Sequence, residues 1–284
     1  MLTDPALGGC VPRTGEHPSL LVSSKLAAED VRKAVTESVR RAKADSSVLV
    51  VALLGHGFTA PQRTELYYMV RDSTPQSTSS AVHVGQLLTD AADEVGVDGV
   101  IALIDTCRAA GAIPDTGRLA GGVRSGRARL AVLTAAAADQ NARDMRLSFA
   151  LVRVIKEGLA GAGSMLHVDR TLTEALREQV SGQTVGRAEY DNDPFALQGL
   201  WLAYNRRHTR AGAGESVGPL GRQELQEAVE MWRTPGALPE RLTLTALEEL
   251  HAFVRTDQNE PGAMSAFASR SRRTPTTWLI SPPV

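Results

Sequence analysis

Apolar residues between Leu26 and Ala42 return at Leu26, Val31, Val35 and Val39, with Glu29, Asp30, Arg32, Lys33 and Arg40 between them. That spacing predicts an amphipathic helix. Val48 to Leu54 is a short continuous run rich in β-branched residues that stops at Gly55-His56-Gly57, as a strand covered on both faces does. Leu66 to Val70 reads as a further strand, Ser73 to Ser80 as a Ser/Thr-rich loop, and Val82 to Val95 as a second helix through Val84, Leu87, Leu88, Ala91 and Val95. Val100 to Ile104 and Leu130 to Ala135 repeat the buried-strand pattern, separated by the Gly- and Arg-rich stretch Ala110 to Arg127, which has no periodicity and is expected to be a loop. Helical spacing resumes over Leu147 to Leu159 and Leu172 to Val180, and Phe195 to Tyr204 suits a closing strand. Strands alternating with helices of this length predict an α/β layer with a mostly parallel sheet.

Past this region the pattern changes. Residues 211–221 are rich in Gly and Ala and read as a linker. Arg222 to Trp232 and Leu244 to Val254 are expected helices, and the Ser/Arg/Pro-rich end from Ala268 reads as poorly ordered. The expected division is therefore an α/β domain over 1–206, a linker over 207–221, and a helical accessory region with a disordered tail over 222–284.

Composition narrows the function classes. The 284 residues carry 31 Lys plus Arg against 32 Asp plus Glu, a net charge of −1, which gives no global pull toward nucleic acid or an anionic membrane. Arg270, Arg272 and Arg273 read as a solvated tail. The longest apolar run, Val48 to Leu54, falls far short of the roughly 20 residues of a spanning helix. Asp4 and Pro5 stand where an export signal would be basic and then apolar, and two cysteines, Cys10 and Cys107, make no disulfide framework. The expectation is a soluble cytoplasmic protein with no nucleic-acid or membrane partner. His17, His83, His167, His208 and His251 show no metal-ligand spacing, so no metal site is expected, and Cys10 is read as structural.

His56 and Cys107 each follow a predicted central strand, and the carboxyl ends of neighbouring parallel strands line one crevice. An imidazole there can take the proton of a thiol and raise its reactivity. Gly57 allows close backbone approach, and its N–H with that of Cys107 can serve as a pair of oxyanion donors. Asp105, two residues earlier, reads from the residues alone as a turn-forming carboxylate that caps the following helix.

The series strand-Gly55-His56-Gly57, strand-Asp105-Thr106-Cys107 and then Val132 to Gln140 resembles the caspase-like cysteine peptidases (C14-like), nearest the bacterial metacaspase branch, over about Leu2 to Asn205. The resemblance implies a caspase-like fold and a cysteine endopeptidase with Cys107 as nucleophile, His56 as base, and Gly57 with Cys107 as oxyanion hole. It places Asp105, and Asp139 beside it, in a pocket that selects Arg or Lys before the cut bond. It also makes Arg118, Arg124 and Arg127 candidates for self-cleavage, requires no cofactor, and leaves calcium dependence open. The chain departs from the family at Leu54 and at Ala109-Ala110, and it begins almost at the first helix. Either the start is truncated or the sheet lacks its first strand. The implied partners are a protein or peptide substrate and a protein bound through the C-terminal helical region. The competing expectation is an inactive caspase-like module that binds proteins, and a third is acyl transfer by the same thiol.

Overall fold

The computed structural model describes residues 1–8, 10–11, 19–22, 26–61, 63–74, 77–114, 128–192, 199–208 and 276–281. The chain divides into two compact units, 1–208 with 273–284, and 209–272. The described residues all belong to the first.

Its centre is a six-stranded sheet in the order β1 (Leu20–Val22), β11 (Thr276–Ser281), β2 (Val48–Gly55), β6 (Gly99–Thr106), β7 (Arg129–Thr134) and β9 (Gly186–Asp191). Every neighbouring pair is parallel except β7 with β9, which is antiparallel. The three apolar runs read from the sequence are β2, β6 and β7, and all eight residues of β6 are buried, as a central strand covered on both faces requires. Helices flank the sheet: α1 (Ala28–Ala44) packs with α2 (Val84–Ala92), and α3 (Arg146–Glu157) packs with α4 (Arg170–Gln179). The buried face of α1, which includes Val31, Ala34 and Val35, is the apolar stripe of the sequence, and Asp30 closes its first turn by accepting the Ala27 N–H at 2.8 Å. His83 caps α2, its Nδ1 accepting the Gln86 N–H at 2.9 Å.

Two small antiparallel sheets complete the unit: β3 (Gly57–Thr59), β4 (Leu66–Tyr68) and β5 (Val82–His83), and the pair β8 (Met165–His167) with β10 (Trp201–Tyr204). Buried Asn205 ties the segment before β8 in place: its side chain accepts the Leu159 N–H and donates to the carbonyls of Leu159, Ala162 and Gly163.

Two expectations change. The sheet does not start at β2, because β1 and β11 continue it on that side. Residues 276–281 lie in the stretch expected to be a disordered tail, and they instead pair with β2 from Thr276↔Leu49 to Ile280↔Leu53. The reason is physical: Val48 to Leu53 is buried throughout, so the backbone groups along both its edges need hydrogen-bond partners, and β6 supplies only one side. The 207–221 linker, the helices expected over 222–254 and the arginines at 270–273 lie outside the described residues.

Candidate functional site

β2 and β6 run in register from Val48↔Gly99 to Gly55↔Thr106, so His56 and Cys107 are the next residues at the same end of two adjacent strands. Gly57 lies against the nucleophile candidate's backbone, since a Cβ on it would sit 2.8 Å from the Cys107 carbonyl oxygen and 3.1 Å from Thr106 Oγ1. The strand ends thus gather His56, Gly57 and Cys107. Cys107 Sγ lies 3.7 Å from the Ala142 carbonyl oxygen, within reach of a weak thiol hydrogen bond. His56 is exposed, and among the described residues its ring has no hydrogen-bond partner to orient it.

The turn after Cys107 is tied to the turn after β7. Arg108 takes a left-handed conformation, φ 62°, its N–H donates to the Gln140 carbonyl at 2.8 Å, and the Ala110 N–H donates to the Ala136 carbonyl at 2.9 Å. Gly111 follows in a short 3-10 turn, Ala109–Ala112. A Cβ on it would overlap the Thr64 carbonyl oxygen and approach Leu66 N to 2.9 Å, so the β3–β4 connection can lie on this turn only because residue 111 is glycine. Gly111→Ala is accordingly expected to lower stability by about 1–3 kcal/mol through overpacking. A urea midpoint unchanged from wild type would show that the connection can move aside without cost.

Asp105 is buried, 4% exposed. Its Oδ2 accepts the Ser148 N–H at 2.8 Å and the Ser148 Oγ–H at 2.7 Å. Ser148 lies in the first turn of α3, whose own N-cap, Met145, is left-handed and offers no side-chain cap. The carboxylate of β6 therefore caps α3, a distant helix rather than the one following it in sequence. Burial raises its pKa above the usual carboxylate range, opposed by the two Ser148 hydrogen bonds. Its Oδ1 is buried with no hydrogen-bond partner among the described residues.

Asp139 is exposed in the turn after β7, and no hydrogen bond joins it to Asp105. Arg118, Arg124 and Arg127 lie outside the described residues. Two glutamines that the sequence did not single out organise this end of the sheet. Gln183 Oε1 accepts the Arg143 N–H at 2.9 Å, and Gln140 Oε1 accepts the Thr184 N–H at 2.7 Å. Both bonds span about forty residues of chain, so no local pattern announces them. Among the described residues no group of three or more His, Cys, Asp or Glu is placed to hold a metal ion, and no helix is long and apolar enough to cross a membrane.

Comparison with known proteins corrects the family. The family model that matches is described as vWA-MoxR associated protein middle region (VMAP-M) 2, and it covers residues 162–276, less than half of the chain. No curated protein matches the chain. The match replaces the caspase-like peptidase assignment and, with it, the endopeptidase cleaving after Arg or Lys. Gly-His-Gly and Asp-Thr-Cys are three-residue motifs at strand ends, where open parallel sheets of many functions gather polar residues, so the shared position does not carry a shared chemistry. The matched segment starts inside the first compact unit and supplies β8, α4, β9 and β10 to it.

Proposed function

We propose that this chain acts as a protein-binding component of a vWA–MoxR associated assembly. The observation that carries the reading is the family match over 162–276, because that family is named for association with vWA and MoxR proteins. The build of the matched segment supports it further. Its described part is a structural portion of the α/β unit, anchored by β9 on β7 and by the Asn205 hydrogen bonds, and it can present a fixed surface to a partner.

The test is reconstitution. The chain, expressed with an affinity tag, is mixed with the vWA and MoxR proteins of the same organism and passed over a sizing column. Co-elution with at least one of them is expected, and Cys107→Ala is expected to co-elute equally, because binding does not use the thiol. Separate elution of all three wild-type proteins at micromolar concentration would overturn the proposal.

A further inference from the structure

The matched segment also contains a cleft of about 330 Å³ lined by Arg170, Thr173, Glu174, Arg177 and Arg187. Three guanidinium groups face one carboxylate in that lining. Arg170, Glu174 and Arg177 stand at i, i+4 and i+7 on α4, on one face of the helix, and Arg187 comes from the edge strand β9 beside it. The opposite side of α4, through Leu172 and Leu176, is buried, so the helix cannot turn the arginines away.

The three arginines are held to different degrees. Arg177 Nε donates to the Val185 carbonyl at 2.7 Å, which fixes the plane of its guanidinium and leaves both Nη groups without a hydrogen-bond partner among the described residues. Arg170 Nε meets Glu174 Oε1 at 2.6 Å, with the arginine side chain 83% exposed, and Arg187 Nη1 meets Glu189 Oε2 at 3.0 Å. Each of these is a solvent-screened surface contact through one arginine nitrogen, so an incoming carboxylate can displace the internal one at small cost. A planar fork with two free donors matches a carboxylate in bidentate fashion. The volume is at the lower end of the ~300–1,000 Å³ range of ligand clefts, which suits a side chain or two of a docked segment.

We infer that this arginine cleft is the docking site for an acidic segment of a partner protein, its carboxylates binding Arg177 first and then Arg170 and Arg187. The inference rests on the protein-binding reading above and adds the chemistry of the contact. The experiment uses the full chain and a fluorescein-labelled decaglutamate peptide, read by anisotropy at 50 and 200 mM salt, with a decathymidine oligonucleotide as the second probe. Expected are saturable peptide binding that weakens with salt, at least tenfold weaker binding by Arg170→Glu/Arg177→Glu, and an intermediate loss in Arg170→Lys/Arg177→Lys, which keeps the charge and removes the fork. The circular dichroism melt of each variant guards against unfolding.

The same variants enter the vWA–MoxR reconstitution, which separates the two proposals. If wild type and the reversal variant join the complex equally and neither binds the peptide, the cleft inference is overturned and the assembly reading stands. If the peptide binds through the arginines but no complex forms, the assembly reading fails and the acidic-segment site stands. Tighter binding of decathymidine than of decaglutamate would overturn the inference in favour of a nucleic-acid site.

Discussion

Asp191→Ala is expected to destabilise the α/β unit by about 3–5 kcal/mol, the cost of breaking a buried ion pair from one side. Arg129, 4% exposed, stands directly across the β7–β9 ladder from Asp191 and donates through Nε to both of its carboxylate oxygens, at 3.1 and 3.0 Å. Its Nη1 donates to the Asp98 carbonyl at 3.3 Å and lies 3.9 Å from Asp98 Oδ1. Without Asp191 the buried guanidinium loses both of the Nε hydrogen bonds to that carboxylate. Arg129→Met is expected to cost less. It removes the buried charge, keeps an apolar stem, and leaves Asp191, whose side chain is 30% exposed, able to take water in its place. The ranking of urea midpoints, Asp191→Ala below Arg129→Met, tests the argument, and the reverse order would show that the stem's packing matters more than the charge. Because β9 belongs to the matched segment, Asp191→Ala should also weaken any partner held by that strand.

What the sequence discloses of this fold follows from how local each cause is. β2, β6 and β7 are legible because a strand covered on both faces must be apolar at every position, and Val48 to Leu53 and Val100 to Ile104 are. β9 is not, because an edge strand alternates: Gly-Arg-Ala-Glu-Tyr-Asp places Arg187, Glu189 and Asp191 outward and reads as a polar loop. β11 is hidden for another reason. Thr-Thr-Trp-Leu-Ile-Ser follows an Arg/Pro-rich run, and its partner β2 lies more than 200 residues earlier, so no nearby residue marks it as a strand.

The site divides in the same way. Two adjacent strand ends bring His56 and Cys107 to one place, as the alternation of elements implies. The contact of Cys107 with Ala142, and the Gln183–Arg143 and Gln140–Thr184 bonds that hold the neighbouring turns, join residues remote in sequence. The caspase-like resemblance rests on the order and spacing of Gly55-His56-Gly57, Asp105-Thr106-Cys107 and Val132 to Gln140, while the segment that matches a family begins at residue 162, beyond all three. Arg170 lies before the expected helix start at Leu172, so its alignment with Glu174 and Arg177 on one helix face, and their meeting with Arg187, needed the structure.

Asp105→Ala is expected to cost about 2–4 kcal/mol, because the half-buried Ser148 N–H and Oγ–H lose their acceptor and α3 loses the carboxylate that caps its start. Asp105→Asn keeps the volume and one acceptor for the Ser148 N–H, and its expected cost at neutral pH is below about 1 kcal/mol. The two substitutions also differ from wild type in pH dependence. Desolvation raises the Asp105 pKa in the folded chain, so the folded state retains a proton that the unfolded chain, with an ordinary carboxylate value of about 4, has released. Wild type therefore has the full benefit of this group below the ordinary value and loses it as pH rises through the raised one. Asparagine does not titrate, so the stability of Asp105→Asn relative to wild type should increase over that interval and level off above it. Urea midpoints measured at half-unit steps upward from pH 3.5 check the sign. Parallel curves for the two proteins would mean that Asp105 ionises in the fold as it does in the unfolded chain, and that the helix dipole and Ser148 together balance its burial.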